Sequence, residues 1–313
     1  MSDWVVKVAL VWLSGVYEAI KWRLIHDHDV AAADETEVQV LNEEGRTARQ
    51  KSYMWLYRSG ADAAHPLVLY EYQQTRSASH PKAFLTDFKG YLHTDGYSRY
   101  HNLGSDITVV GCWAHARRRF ADALTAIPRS QKVSSLAAQG LAYCDELFSL
   151  EHDFEQLSFT GRYLRRKELS EPVANAFFAW VNETSALPKS LIGKAIHYAR
   201  EQRPYLLNVF LDGRCELSNN RSERSTKPFV LGRKNWLFSN TANGAEASAI
   251  IYSIVETAKE NGLRAHDYLE YLFERLPNMK TSELADVMPW SEKLPDYIKV
   301  PKPSKPDSSD TQE

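Results

Sequence analysis

The sequence predicts an α/β protein in which a mixed sheet carries helices on its faces. Three segments between residues 32 and 74 show the alternation, or the branched and aromatic residues, that are typical of strands. Two further short strands lie within residues 90–113, next to stretches with helical spacing. With 313 residues, 43% of them hydrophobic, the chain is long enough and apolar enough to bury a sizeable core.

The first element is a helix over residues 4–20. Lys7 and Glu18 interrupt its apolar character, and no basic start or small-residue cleavage pattern accompanies it, which argues against a signal peptide or a membrane span. Its apolar residues recur at steps of three and four, as on a helix face that packs on a core. They are Trp4, Val8, Val11, Trp12, Val16 and Ile20. We expect neither export nor membrane insertion.

The next three elements are strands. The first begins around Ala32, alternates valine with polar residues, and carries Asp34 near its start. Residues 51–60 and 66–74 form the second and third strands, and turn-forming residues at 59–62 separate them. These three strands are expected to form an antiparallel meander.

A helix over 78–88, a fourth strand over 90–94 and a buried strand over 108–113 follow, before a basic helix over 114–127. Helical patterns then dominate, with a Gly and aromatic interruption at 232–244. We divide the chain into an N-terminal helix with the first part of the core (1–127), an all-helical insertion (128–204), a C-terminal helical part of the core (205–276) and an extended or mobile tail (277–313).

The charge of the chain bears on whether it binds nucleic acid. A net charge of -2 gives no global sign of a nucleic-acid partner. Two segments are locally basic: residues 193–240 hold nine Lys or Arg against four Asp or Glu, and residues 111–133 hold five against one. Each segment is also explained as a solvated helix face.

The three cysteines lie far apart without a CxxC pair, which favours a reducing cytoplasm and predicts no disulfide framework or zinc ribbon. Cys112 and His115 have ligand-like spacing, but no second pair is visible, so we interpret Cys112 as a buried strand residue.

Three acidic residues are candidates for chemistry, and each has a structural alternative. Asp34 and Asp95 lie on or at the tip of a strand, where Asp is depleted and where sites are built. Asp34 is also explained as a cap or turn residue, and the Asp-Gly pair at position 95 is a strong turn signal. Glu223, three residues after Asn220, fits a capping box. Residue type alone leaves these alternatives open.

Five blocks of the sequence resemble, in order, signature segments of the insertion sequence 66 family of transposases. They are ADET (33–36), YLHTDGY (91–97), GCWAHARR (111–118), NNRSER (219–224) and GRKNWLF (232–238). Several ordered blocks match by chance far less readily than one short motif. The likeness runs from about residue 4 to about residue 276.

The resemblance implies a DDE-type enzyme with a ribonuclease-H-like core and a helical insertion before the last acid. Its acids lie on the first strand, the fourth strand and a later helix, which implies that Asp34, Asp95 and Glu223 are catalytic residues and metal ligands. The implied cofactor is Mg²⁺ or Mn²⁺, as two ions, because carboxylate oxygens suit these cations. The implied reaction is cleavage and strand transfer of double-stranded DNA at element ends and at a target.

The basic segments then acquire a DNA-binding role. The residues expected to contact phosphates are Arg117, Arg118, Arg119, Arg221, Arg224, Lys227, Arg233 and Lys234. Trp236 and Phe238 either stack on an unpaired base or pack in the core, and core packing is favoured. His115 either contacts a phosphate or is a packed structural histidine, and we leave it out of the catalytic set.

We expect a homo-oligomer that joins two DNA ends in a synaptic complex, in the cytoplasm of a bacterium and on the nucleoid when DNA is bound. Full members of the family look longer at the front, with a cysteine-rich segment. End recognition is therefore expected from a region missing here or from a separate protein. The alternative function is a catalytically silent, truncated transposase that acts as a DNA-binding or dimerising inhibitor. A different ribonuclease-H-like nuclease is less favoured, because it does not explain the shared blocks.

Overall fold

The computed structural model describes residues 3–301 and contains a six-stranded mixed sheet. The strands are β1 (Val30–Asn42), β2 (Lys51–Ser59), β3 (Val68–Gln73), β4 (Gly90–His93), β5 (Ile107–Val110) and β6 (Ser239–Thr241). Their order is β3-β2-β1-β4-β5, and β6 pairs with the far end of β1.

The predicted meander is confirmed. β1 runs antiparallel to β2 with Asp34 opposite Leu56, and β2 runs antiparallel to β3. β4 and β5 are parallel to β1, so the predicted mixed α/β sheet is also confirmed. The predicted start of β1 was two residues late, and Asp34 lies well inside the strand rather than near its start. β6 was missed because three residues are too few to show an alternation.

Helices cover both faces of the sheet. They are α1 (Asp3–Val8), α2 (Ser14–His26), α3 (Ser79–Phe84), α4 (Trp113–Thr125), α5 (Leu136–Asp153), α6 (Phe159–Arg165), α7 (Glu171–Glu183), α8 (Leu191–Leu206), α9 (Asn220–Trp236), α10 (Ala242–Glu260) and α11 (Ala265–Arg275). No helix among residues 3–301 is both long enough and apolar enough to cross a membrane.

The N-terminal helical segment buries only part of the predicted face. Val16 and Ile20 are fully buried, as predicted. Trp4 and Val11 are 67% and 60% exposed, whereas Ala9 and Leu13 are fully buried in their place. Residues Ala9–Leu13 form a π-helical turn between α1 and α2. Such a turn closes its hydrogen bonds over five residues, so the apolar stripe that a regular helix would carry is rotated.

The side chains of β1 alternate between two cores. The residues at odd positions, such as Ala31 and Ala33, join a core with α2, α3 and α11. Those at even positions, such as Val38 and Val40, join a second core with α9 and α10. A third core lies among α4, α5, α7 and α8, the helices that the sequence assigned to an insertion or to its border. Asp34 has an even number and therefore lies on the α9 face.

Two boundaries differ from the prediction in ways that matter for the site. β5 ends at Val110, so Cys112 is buried but precedes α4 as its N-cap instead of lying in a strand. α9 continues to Trp236, so the interruption begins at Leu237 and not at Gly232. Both errors arise because local patterns locate element ends poorly.

Residues 277–300 were predicted to be extended or mobile, but they form short 3₁₀ turns that pack on the core. Val287, Met288 and Ile298 are buried there. The backbone N–H of Arg264 donates to the carbonyl of Ile298 at 2.7 Å, which ties this segment to the start of α11. Short 3₁₀ turns lack the periodicity that reveals helices. The rest of the predicted tail, residues 302–313, lies outside the described residues.

Candidate active site

Asp34 and Asp95 are neighbours on parallel strands. β4 pairs with β1 so that Ala32 is opposite His93, and each acid lies two residues farther along its own segment. Asp34 is still within β1, whereas Asp95 has just passed the end of β4. The sheet register therefore brings together two carboxylates that are 61 positions apart in the sequence.

Hydrogen bonds orient the carboxylate of Asp34. The hydroxyl of Thr226, on α9, donates to Oδ2 at 3.0 Å, and the backbone N–H of Glu35 donates to Oδ1 at 2.9 Å. Because Asp34 lies inside a long strand, the alternative of a cap or turn residue is wrong. The side chain instead reaches across to the helix that carries the third acid.

Asp95 is a turn residue and a site residue at once. Its Oδ1 accepts from the backbone N–H of Tyr97 at 2.9 Å, the short local bond of an Asp turn. Gly96 has φ +90°, and a Cβ at that position would lie 2.9 Å from the hydroxyl of Tyr198. That hydroxyl donates to the Asp95 carbonyl at 3.2 Å, which fastens the turn to α8.

Burial and neighbouring negative charges make ionisation of the Asp34 carboxyl unfavourable. Burial, followed by the negative charges of Glu35 and Asp95, raises the pKa of Asp34 to about 7, although the Thr226 hydrogen bond opposes this. Burial also raises the pKa of Glu35, which lies on the opposite face of β1. Glu35 accepts from the hydroxyl of Tyr100 and pairs with Arg76. Sequence reasoning did not single out Glu35, although it directly follows Asp34.

Glu223 lies in the first turn of α9, but the predicted capping box is absent. The N-cap is Asn219, and its side-chain amide donates to the carbonyl of Ala33 at 3.0 Å instead of capping the helix. This bond ties the start of α9 to the residue before Asp34. The backbone N–H of Glu216, just upstream, donates to Nε2 of buried His93 at 3.2 Å, which ties the same loop to the end of β4.

The carboxylate of Glu223 points toward α4. Its Oε1 is 3.5 Å from Nε2 of His115, and its Oε2 is 3.7 Å from a guanidinium nitrogen of Arg118. Oε1 is buried and has no hydrogen-bond partner among the described residues. A buried carboxylate oxygen without a partner is costly unless it has a ligand.

His115 is the site residue that sequence reasoning set aside. Burial lowers its pKa, while the nearby charges of Asp95 and Glu223 oppose that effect. His115 is thus 3.5 Å from the third acid and close enough to the second to feel its charge. Its position two residues into α4, the helix that follows β5, was the available signal, because β5 is the direct neighbour of β4.

The donors suit a divalent cation, but they do not form a closed ligand set. Among residues 3–301, no three His, Cys, Asp or Glu side chains meet at one point where they would hold an ion. Asp34 and Asp95 are adjacent, while Glu223 is held toward His115 and Arg118. The carboxylate chemistry and the unpartnered oxygen of Glu223 fit Mg²⁺ or Mn²⁺.

The predicted DNA-binding residues differ in their availability. Arg224, Lys227 and Lys234 are exposed on one face of α9, and none has an acidic partner within 4 Å in the part of the chain described. The other five are engaged: Arg117 with Asp145, Arg118 with Glu223, Arg119 with Tyr198, Arg221 with Glu216, and Arg233 with Thr36 and the carbonyl of Glu37.

Trp236 and Phe238, at the end of α9 and just after it, have different surroundings. Trp236 is half-buried and packs edge-on against Phe229 with ring centroids 5.3 Å apart, as the favoured core-packing interpretation requires. Phe238 is 42% exposed and lies outside the core.

Adjacent carboxylates within a mixed sheet, a third on a neighbouring helix and an exposed basic helix face form a combination typical of enzymes that process phosphodiester bonds in nucleic acids. The mixed α/β sheet and the arrangement of these residues are consistent with this class.

The chain belongs to the transposase IS66 family, as the sequence blocks indicated. Residues 1–247 match the family described as Transposase IS66 family, and residues 253–290 match the IS66 C-terminal element. The chain is 33% identical over 282 residues to the uncharacterized protein y4qI of Sinorhizobium fredii, covering 85% of this chain and 51% of that protein. It is 30% identical over 314 residues to y4jD of the same organism, covering 94% and 59%. The chain thus spans little more than half the length of these relatives.

Proposed function

We propose that this chain carries the catalytic site of a DDE-type transposase with a ribonuclease-H-like core, which cleaves and joins double-stranded DNA at insertion-element ends. The observation that carries the proposal is the adjacency of Asp34 and Asp95, which the parallel register of β1 and β4 produces. Glu223 lies near them, because His115 is 3.5 Å from Glu223 and is also affected by the charge of Asp95. Family membership supports the same function. The direct test is metal-dependent strand cleavage by the wild type and by an Asp95→Asn variant.

In this proposal Asp34, Asp95 and Glu223 hold Mg²⁺ or Mn²⁺. The ions, when bound, stabilise the attacking and leaving oxygens of an in-line displacement at phosphorus. The chain itself supplies orientation: Thr226 fixes one oxygen of Asp34, and the N–H of Tyr97 fixes one oxygen of Asp95. These bonds prepare the carboxylates before DNA arrives.

Arg118 links DNA binding to Glu223. Its side chain is 56% exposed and its guanidinium lies 3.7 Å from Glu223 Oε2. At 3.7 Å the contact with Glu223 is an ion pair without a hydrogen bond, so a DNA phosphate that accepts charge-assisted hydrogen bonds from this guanidinium would compete with the carboxylate.

A divalent cation is expected to stabilise the folded chain. Saturating Mn²⁺ should raise the melting temperature by a few degrees, since binding at about 100 times the dissociation constant contributes roughly 2.7 kcal/mol. The shift should disappear in Asp34→Asn, which removes one anionic donor. Scanning calorimetry at matched ionic strength measures both. Superimposable wild-type melting curves with and without Mn²⁺ would remove the metal from the proposal.

The exposed basic face of α9 is expected to set the salt dependence of DNA binding. Each phosphate contact contributes about 0.9 to the slope of log affinity against log salt, so Lys227→Ala/Lys234→Ala should reduce the slope by about two. Fluorescence anisotropy with a labelled duplex measures it. Lys293→Ala, which removes an exposed lysine paired with Asp286, is the matched control and should leave the slope unchanged. An unaltered slope in the double variant would exclude this face from the interface.

A further inference from the structure

The turn after α9 presents two apolar side chains to solvent. Leu237 has φ +64° and ψ -50°, and the N–H of Phe238 donates to the carbonyl of Trp236 at 2.8 Å, which closes a three-residue turn. This form of the γ-turn is rare and strained for a residue with a side chain. Leu237 and Phe238 are nevertheless 63% and 42% exposed, so burial of these side chains does not explain the strain.

The turn is fixed from both sides. The N–H of Leu237 donates to the carbonyl of Arg233 at 2.8 Å, which completes α9. On the other side, β6 pairs with the end of β1, and the amide of Asn42 donates to the carbonyl of Asn240 at 3.1 Å. Strained backbone that its surroundings enforce is concentrated at sites that hold a ligand. The hydrogen bonds on both sides hold Leu237 and Phe238 in this conformation.

A groove of about 710 Å³ opens beside Phe238. Its lining includes Trp236, Phe238 and Tyr252, the amide side chain of Asn243, and Val6 and Leu10 of the N-terminal helical segment. Gly232 permits this arrangement, because a Cβ there would lie 2.2 Å from the hydroxyl of Tyr252. Aromatic faces with a few amide groups are the chemistry that receives a nucleobase.

Leu237 borders a second depression, of about 380 Å³, whose lining includes Arg49, Lys51, Arg233 and the acidic Glu37. Lys51 pairs with Glu37 at 2.7 Å and Arg233 donates to the Glu37 carbonyl, whereas Arg49 has no acidic partner within 4 Å among the described residues. The two side chains thus form a ridge that borders an aromatic groove and a depression of net positive charge. Apolar ridges of this kind enter base steps of a duplex, while neighbouring cations bind its phosphates. Charge and shape together select DNA over an apolar protein segment.

The ridge directly follows the helix that carries the third acid. Fourteen residues separate Glu223 from Leu237, which is about 21 Å along α9. That length corresponds to roughly six base pairs of duplex at about 3.4 Å each. The exposed Arg224, Lys227 and Lys234 lie between the two points.

We propose that Leu237 and Phe238 enter a base step of bound DNA about six base pairs from the reacting bond, and that the adjoining groove receives the displaced base. This site rests on the proposed function, because it requires that the basic face of α9 bind duplex DNA. In addition to cleavage, Leu237 and Phe238 would distort the duplex at a defined distance from the three acids.

The test compares two 30-base-pair duplexes in EDTA, one fully paired and one with a single unpaired 2-aminopurine. The wild type should bind the second duplex about fivefold more tightly or better, the lower end of what stacking on an aromatic side chain contributes. The 2-aminopurine fluorescence should be quenched on binding. Phe238→Ser should lose both the preference for the second duplex and the quenching.

Three further variants complete the comparison. Phe238→Trp should retain the preference, and Leu231→Ser, which changes another exposed apolar residue of α9, should leave it unaltered. Leu237→Gly should fold well, since glycine adopts a positive φ without strain, and should reduce the preference.

Equal wild-type affinities for the two duplexes, or a preference that survives Phe238→Ser and Leu237→Gly, would overturn this site and leave the proposed function standing. No binding to either duplex would overturn both.

Discussion

Replacement of Asp95 by asparagine is expected to lower the rate of DNA strand cleavage roughly a thousandfold, equivalent to about 4 kcal/mol of transition-state stabilisation. The change removes one anionic donor next to Asp34 and leaves the local structure intact. Asparagine keeps the side-chain oxygen that accepts from the N–H of Tyr97, so the turn at the end of β4 is preserved. Binding of duplex DNA should therefore change little.

The assay follows nicking of duplexes that carry the ends of the insertion element, with Mg²⁺ or Mn²⁺. Asp106→Asn is the matched control, because Asp106 is 58% exposed, precedes the neighbouring strand β5, and contacts only Lys89 and the adjacent Ser105 among the described side chains. Full activity of Asp95→Asn would exclude Asp95 from the catalytic set. A wild-type chain that binds the ends but never cleaves them, even with a supplied end-recognition protein, would favour the silent inhibitor.

Replacement of Arg166 by methionine is expected to lower the free energy of unfolding by about 3 kcal/mol or more. Arg166 is 0% exposed, and its Nε donates to Glu151 Oε2 at 2.8 Å. Its Nη1 donates to the carbonyl of Cys215 at 2.8 Å and lies 3.3 Å from the carbonyls of Val209 and Asp212. The variant leaves a carboxylate and these carbonyls without their donor.

Urea unfolding followed by tryptophan fluorescence measures the loss. Arg165→Met is the matched control: its side chain is 46% exposed and pairs with Glu168, so the expected change is below about 1 kcal/mol. Glu151→Leu combined with Arg166→Met should recover part of the stability, because it removes the mostly buried carboxylate that is otherwise left with only Arg162, at 3.8 Å, as its ion-pair partner among the described residues. Equal stabilities of Arg166→Met and Arg165→Met would contradict this account. The loop that Arg166 holds leads into α9, so its loss should also impair the position of Glu223.

Residue patterns predicted the secondary-structure elements that carry the three acids, but not the contacts of their side chains. Asp34 was located on the first strand and Asp95 at the end of the fourth, because strand-forming residues reveal strands locally. Their adjacency followed only from the register of β1 with β4. Glu223 was located on a helix, but its side chain contacts His115 and Arg118 of α4 instead of capping α9. A helix cap is a local interaction, whereas the contacts observed join segments more than 100 positions apart.

The sequence by itself determined the mixed α/β architecture, the meander and the family, since each depends on composition, periodicity or short blocks of neighbouring residues. Tertiary structure alone decided how the buried stripe of the N-terminal helical segment shifts at Ala9–Leu13, that β6 extends the sheet, and that His115 contacts Glu223. Those features depend on packing and on hydrogen bonds between distant segments. Because a local pattern carries no distances between such segments, they become defined only when the chain is folded.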